Sequence, residues 1–170
     1  ESPTGEPLVE GSAPIGETTT ISFEATQIGP HVLRAGAGRN GFTLDATGAK
    51  LLIPAGAGGR PFEGISHAAP VYLFVPPGAQ RFTVELGGQG SGETAAARVL
   101  GPDGAQVAAL STVGGMTDRA TIAVPAGADD NVWALVVGPA ETGIFEDFNV
   151  TLSGEVSPYV AQRPEDLLCP

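Results

Sequence analysis

Residues 70–88 read PVYLFVPPGAQRFTVELGG, and the reading of this stretch decides the fold. Its second half alternates, with Phe82, Val84 and Leu86 apolar and Arg81, Thr83 and Glu85 polar. A period of two marks a strand with one buried face. The first half, VYLFV, is apolar at every position, as in a central strand covered on both faces or meeting a partner. Pro76, Pro77 and Gly78 separate the two halves. Proline cannot continue a central ladder and glycine permits the reversal, so the stretch reads strand, turn, strand.

The same grammar extends in both directions. IPAGA at 53–57, VPPGA at 75–79 and VPAGA at 124–128 each follow apolar residues and read as strand ends. ISFEAT at 21–26 places Ile21, Phe23 and Ala25 on one face. GFTLDAT at 41–47 sets Phe42 and Leu44 against Thr43 and Asp45. FNVTLSG at 148–154 sets Phe148, Val150 and Leu152 against Asn149, Thr151 and Ser153. AKLLIP at 49–54 and NVWALVVG at 131–138 are apolar on both faces and read as central strands. Gly101-Pro102-Asp103-Gly104 has the residue order of a type I turn, and joins AAARVL (95–100) to AQVAAL (105–110) as a hairpin. Helical periodicity is confined to RPEDLL (163–168), where Pro164 suits a first helical position. Strands recurring every 8–12 residues or so predict an all-β antiparallel sandwich, jelly-roll-like in kind. It is expected over residues 21–157. An extended acidic arm, 1–20, precedes it, and a tail, 158–170, with a short helical turn follows.

The second half also resembles a family. PVYLFVPPGAQRFTVELGG, ARVLGPDGAQVA, ATIAVPAGADDNVWALVVG and FEDFNVTLSG are similar to bacterial pre-peptidase C-terminal domains and to the broader galactose-binding-like jelly-roll group. The resemblance covers residues 70–153 and rests on turn and core positions. It implies a non-catalytic accessory module of a secreted bacterial protein, or a polysaccharide-binding unit. It implies no fixed set of ligand residues.

Composition narrows the function classes. Eight basic against 19 acidic residues give a net charge of −11 over 170 residues. Such a surface repels phosphate backbones and anionic lipid, which disfavours nucleic acid and membrane-surface partners. No run approaches the ~18 apolar residues of a bilayer span, so membrane insertion is not expected. Cys169 is the one cysteine, which leaves no intramolecular disulfide. The chain begins at Glu1 in a Pro/Gly/Ser-rich lead. It reads as a secreted, extracellular chain after leader removal, or as a domain excised from a longer one.

Catalytic constellations are poorly supplied. The only histidines are His31 and His67, and neither a G-x-S-x-G elbow nor an H-E-x-x-H pair is present. Ser66 and His67 are adjacent, so on a strand they face opposite ways. Gly36-Ala37-Gly38-Arg39-Asn40-Gly41 matches G-x-G-x-x-G, but the following FTLDAT reads as a strand rather than the helix a dinucleotide site requires. The chain is therefore expected not to be an enzyme and to need no cofactor, with calcium as the one candidate ion. Its ligands would be Asp129 and Asp130 in one turn, with Glu146 and Asp147 before the last alternating strand, since hard cations prefer loop oxygens. The alternative is that these are solvated turn acids. The Asn149-Val150-Thr151 sequon falls in a strand pattern and reads as coincidental.

Sugar recognition needs aromatic platforms or planar hydrogen-bonding groups. Phe23, Phe42, Phe82, Phe148 and Trp133 occupy apolar strand positions and read as core. Arg60, Glu63 and His67, in the polar stretch 59–67, are the candidate ligand-binding residues, together with Arg39 and Asn40 of the glycine loop. The alternative is a long surface connection with solvated charges. Two functions follow as expectations. One is a carbohydrate-binding or accessory module facing a polysaccharide or cell-surface glycan. The other is a structural subunit of an extracellular filament, sheath or coat, binding other copies of itself through its arm and sheet edges.

Overall fold

A computed structural model describes residues 1–38, 40–65 and 69–167. The chain divides into two compact units, Glu1–Leu44 and Asp45–Pro170.

The described part of Glu1–Leu44 contains no helix or strand. Arg34 forms a two-pronged ion pair with Glu1, at 2.9 and 3.2 Å, and the Phe23 and His31 rings lie 5.8 Å apart. The alternating segments 21–26 and 41–47, expected as strands, therefore do not form them. Alternation marks the face a strand would bury, but a strand also needs a neighbour's ladder, and none is present in this unit. Ile21, Phe23 and Phe42 are exposed.

The described residues of the second unit form ten strands: β1 (Ile53–Pro54), β2 (Phe62–Ile65), β3 (Val71–Val75), β4 (Arg81–Gly88), β5 (Ala96–Leu100), β6 (Gln106–Ser111), β7 (Asp118–Ala123), β8 (Asn131–Gly138), β9 (Asp147–Gly154) and β10 (Tyr159–Ala161). They form a six-stranded sheet of order β1-β10-β3-β8-β5-β6 and a four-stranded sheet of order β2-β9-β4-β7, paired antiparallel throughout. The order has a simple origin. The stretch from β2 to β9 folds back on itself as a long ribbon centred on the β5–β6 hairpin. This pairs β5 with β6, β4 with β7, β3 with β8 and β2 with β9. Successive pairs fall alternately in the two sheets, and that rolling of a ribbon into a sandwich is a jelly roll.

The turns take the expected chemistry. Gly104 adopts φ +79° and donates to Gly101 O, closing the β5–β6 hairpin. Gly78 and Gly127 adopt φ near +80° in the two V-P-x-G turns, which glycine does without strain. IPAGA at 53–57 differs. Pro54 lies inside the short edge strand β1, Gly56 is not left-handed, and Ala55 and Ala57 bond instead to Pro158 O and Leu152 O.

The core fills the space between the sheets, with Leu73, Val84, Leu86, Val99, Leu135, Val150 and Leu152 essentially inaccessible. Trp133 sits among them, edge-on to Phe82 at 5.3 Å, and donates its indole N–H to Ala128 O at 2.9 Å. The double-sided apolarity of β3 and β8 also has a cause. Phe74, Ala161 and Leu167 form a second cluster, with Leu52, Tyr72 and Val132 packed against it. Leu167 follows the one 3₁₀ turn among the described residues, Pro164–Asp166, and its carbonyl accepts a 2.6 Å bond from Lys50 Nζ. The segment read as a tail thus supplies β10 between β1 and β3.

Candidate functional site

β2 was hidden inside the stretch read as a loop. Phe62 and Gly64 turn inward, Phe62 meeting Phe148 edge-on at 6.0 Å, while Glu63 and Ile65 face out. A Cβ on Gly64 would run into the Phe148 ring. Four residues with a glycine among them give too little alternation to be seen in sequence.

Of the proposed ligand-binding residues, Arg39 and His67 lie outside the described residues. Asn40 is exposed in the first unit, its amide N–H bonded to Ala37 O at 3.1 Å, and no helix follows the glycine loop. Arg60 is exposed just before β2. Glu63 lies on the outer surface of the four-stranded sheet, and the register there brings further polar groups beside it. Glu63 stands opposite Asn149 of β9, which stands opposite Gly87 of β4. Because Gly87 lacks a side chain, the Asn149 amide lies over its backbone; a Cβ there would be 2.9 Å from Asn149 Oδ1. Two residues along, Thr151, Glu85 and Arg119 form a second row across β9, β4 and β7. A third row follows, Ser153, Thr83 and Thr121, with the two threonine hydroxyls 3.1 Å apart. Adjacent strands are about 4.8 Å apart and rows nearly 7 Å, so these groups cover a platform roughly 14 Å across on rigid backbone. Alternation in sequence had turned Glu85, Thr83, Asn149, Thr151 and Ser153 outward but said nothing of Glu63, Arg119 or Thr121, and only the strand order makes them all neighbours.

The four acids proposed for calcium do not come together. Asp129 and Asp130 precede β8, whereas Glu146 and Asp147 lie beyond its far end, some 25 Å away at about 3.4 Å per residue. Asp129 already accepts the Gly78 N–H at 2.8 Å, tying one V-P-x-G turn to the other. Among the described residues no three potential metal ligands cluster.

The sheet edges are guarded. Val124 N–H bonds to Gln80 O, so the alternate residues Ala120 and Ile122 bond toward β4, and the Arg119, Thr121 and Ala123 amides face the open edge of β7. Asp118 Oδ1 occupies the Arg119 N–H at 2.7 Å, while its Oδ2 takes Ser111 N–H of β6 at 2.7 Å. The β5–β6 pairing is bulged at Val99/Leu100, β1 is two residues long with a proline, and β2 is four. Each is a device that discourages an added strand.

Fold and surface together define an antiparallel jelly-roll module with one platform of hydrogen-bonding side chains. The chain matches no protein-family model, and no curated protein matches it.

Proposed function

We propose that this chain is a non-catalytic, extracellular carbohydrate-binding or accessory module. Its recognition surface is the outer face of the four-stranded sheet, with Glu63, Asn149, Glu85 and Arg119 as the principal contacts and Thr151 beside them. The in-register rows carry the reading. A carboxylate, an amide, a second carboxylate, a guanidinium and hydroxyls are held on paired backbone, which suits the many hydroxyls of a glycan. The aromatic rings of the four-stranded sheet, Phe62, Phe82 and Phe148, serve the core, so binding by hydrogen bonds rather than stacking is the mode supported on that face.

Affinity electrophoresis against a panel of neutral and acidic polysaccharides tests this. Wild-type protein should be retarded by at least one member, and the Glu63→Ala/Asn149→Ala double variant should run freely. Equal retardation of both proteins would move the site elsewhere.

A second reading, a subunit of an extracellular assembly, draws support from the exposed Phe23 and Phe42 in unpaired alternating segments. The guarded edges speak against the strand-addition form of it.

A further inference from the structure

The two sheets differ sharply in charge. The strands of the four-stranded sheet carry Glu63, Arg81, Glu85, Asp118, Arg119 and Asp147. The strands of the six-stranded sheet carry one charged residue, Arg98, in a chain with 19 acids. Arg98 points outward from β5 and is exposed. Its in-register neighbours are Val136 of β8 and Ala109 of β6, and among the described residues its guanidinium makes no ion pair or hydrogen bond. It borders a shallow hollow of about 300 Å³ lined by Ala96, Arg98, Val136, Val137, Gly138 and Pro139. The hollow exists because small residues, Ala96 and Gly138, face each other across β5 and β8, and Pro139 ends the strand. Its size lies at the lower end of that of small-ligand sites.

An exposed guanidinium with no carboxylate on its own strands presents a free fork of donors suited to a carboxylate or sulfate oxyanion. Val136 and Pro139 offer an apolar wall for the C–H face of a ring. We propose that this hollow binds the oxyanion of an acidic glycan, with Arg98 holding the charge. The proposal takes the ligand class from the glycan-binding reading and adds a separate site on the opposite sheet.

Isothermal titration with trigalacturonate, a sulfated galactose trisaccharide and neutral galactotriose tests it, on folded proteins checked by circular dichroism. At least one acidic probe should bind roughly ten- to a hundredfold more tightly than the neutral one, the range of a charge-assisted hydrogen bond. Arg98→Ala should abolish that preference and Arg98→Lys should keep only part of it, because a point charge replaces the fork. Glu63→Ala/Asn149→Ala should leave it intact. Neutral and acidic probes binding alike, or an Arg98→Ala protein that retains the preference, would overturn the proposal while leaving the platform reading standing. Loss of the acidic preference in the Glu63/Asn149 variant would transfer the charge recognition to the platform and likewise overturn it. If none of the three probes binds, this proposal falls, while the platform reading still stands or falls by retardation on the polysaccharide panel.

Discussion

Replacing Trp133 with phenylalanine tests how the sandwich is held at its centre. Trp133 is 1% exposed, packs edge-on to Phe82 and donates to Ala128 O in the turn before β8. Phenylalanine keeps most of the apolar contact but leaves the Ala128 carbonyl without its donor. An unsatisfied buried carbonyl costs about 1–3 kcal/mol. The smaller ring also leaves a void, for which about 1 kcal/mol is reasonable at ~24 cal/mol per Å³. The variant should therefore lose about 2–4 kcal/mol, a large fraction of the 5–15 kcal/mol typical of a domain. For a chain of this length the corresponding drop in Tm is about 5–15 °C. Guanidinium unfolding followed by far-ultraviolet circular dichroism reads the change without relying on the lost indole. A shift in midpoint at unchanged slope is expected, because the defect is local and the fold persists. A loss under about 1 kcal/mol would show that neither the indole hydrogen bond nor the packing around it matters as described.

Three further outcomes follow. Gly64→Ala should drive a methyl into the Phe148 ring, which Phe145 stacks on at 5.7 Å, and destabilise by about 1–3 kcal/mol; hydrogen exchange should quicken at β2 and β9 first, and uniform quickening would contradict the local origin. Glu155 accepts the Gln80 and Arg81 N–H groups, and these bonds hold its carboxyl below the usual glutamate range. A depressed folded pKa stabilises above the ordinary value and is lost as pH falls through the lowered one. The Tm gap between wild type and Glu155→Gln should therefore narrow from pH 7 to pH 3, and a constant gap would refute the linkage. Calcium titration should leave Tm unchanged, since the four candidate acids stand at opposite ends of β8; a rise of several degrees would require a site built from other groups.

The sandwich was legible because its longest strands, β4, β8 and β9, carry unbroken patterns between Pro/Gly turns. β5 and β6 declared themselves through the GPDG hairpin. What stayed hidden was short or non-local. β2 and β10 have four and three residues, below the length at which alternation can be distinguished from chance. The burial of Phe74 and Tyr72 depends on Leu52 and Leu167, about a hundred residues apart, so the apolar outer face of β3 could not be told from a partner surface. The segments 21–26 and 41–47 show the converse failure, since alternation without a neighbouring ladder makes no strand. For the site, Glu63 was singled out from its polar surroundings. Asn149 and Glu85 were assigned only an outward direction and Arg119 none, because their adjacency is a property of the order β2-β9-β4-β7.

The most direct test of the platform is a ¹⁵N–¹H correlation titration of the uniformly labelled chain with an oligosaccharide of whichever polysaccharide retards it. The account predicts shifts concentrated on Glu63, Asn149, Thr151, Gly87, Glu85 and Arg119, saturating together and absent from the Glu63→Ala/Asn149→Ala protein. Shifts confined to the loops at either end of the sandwich, with these amides unmoved, would contradict it.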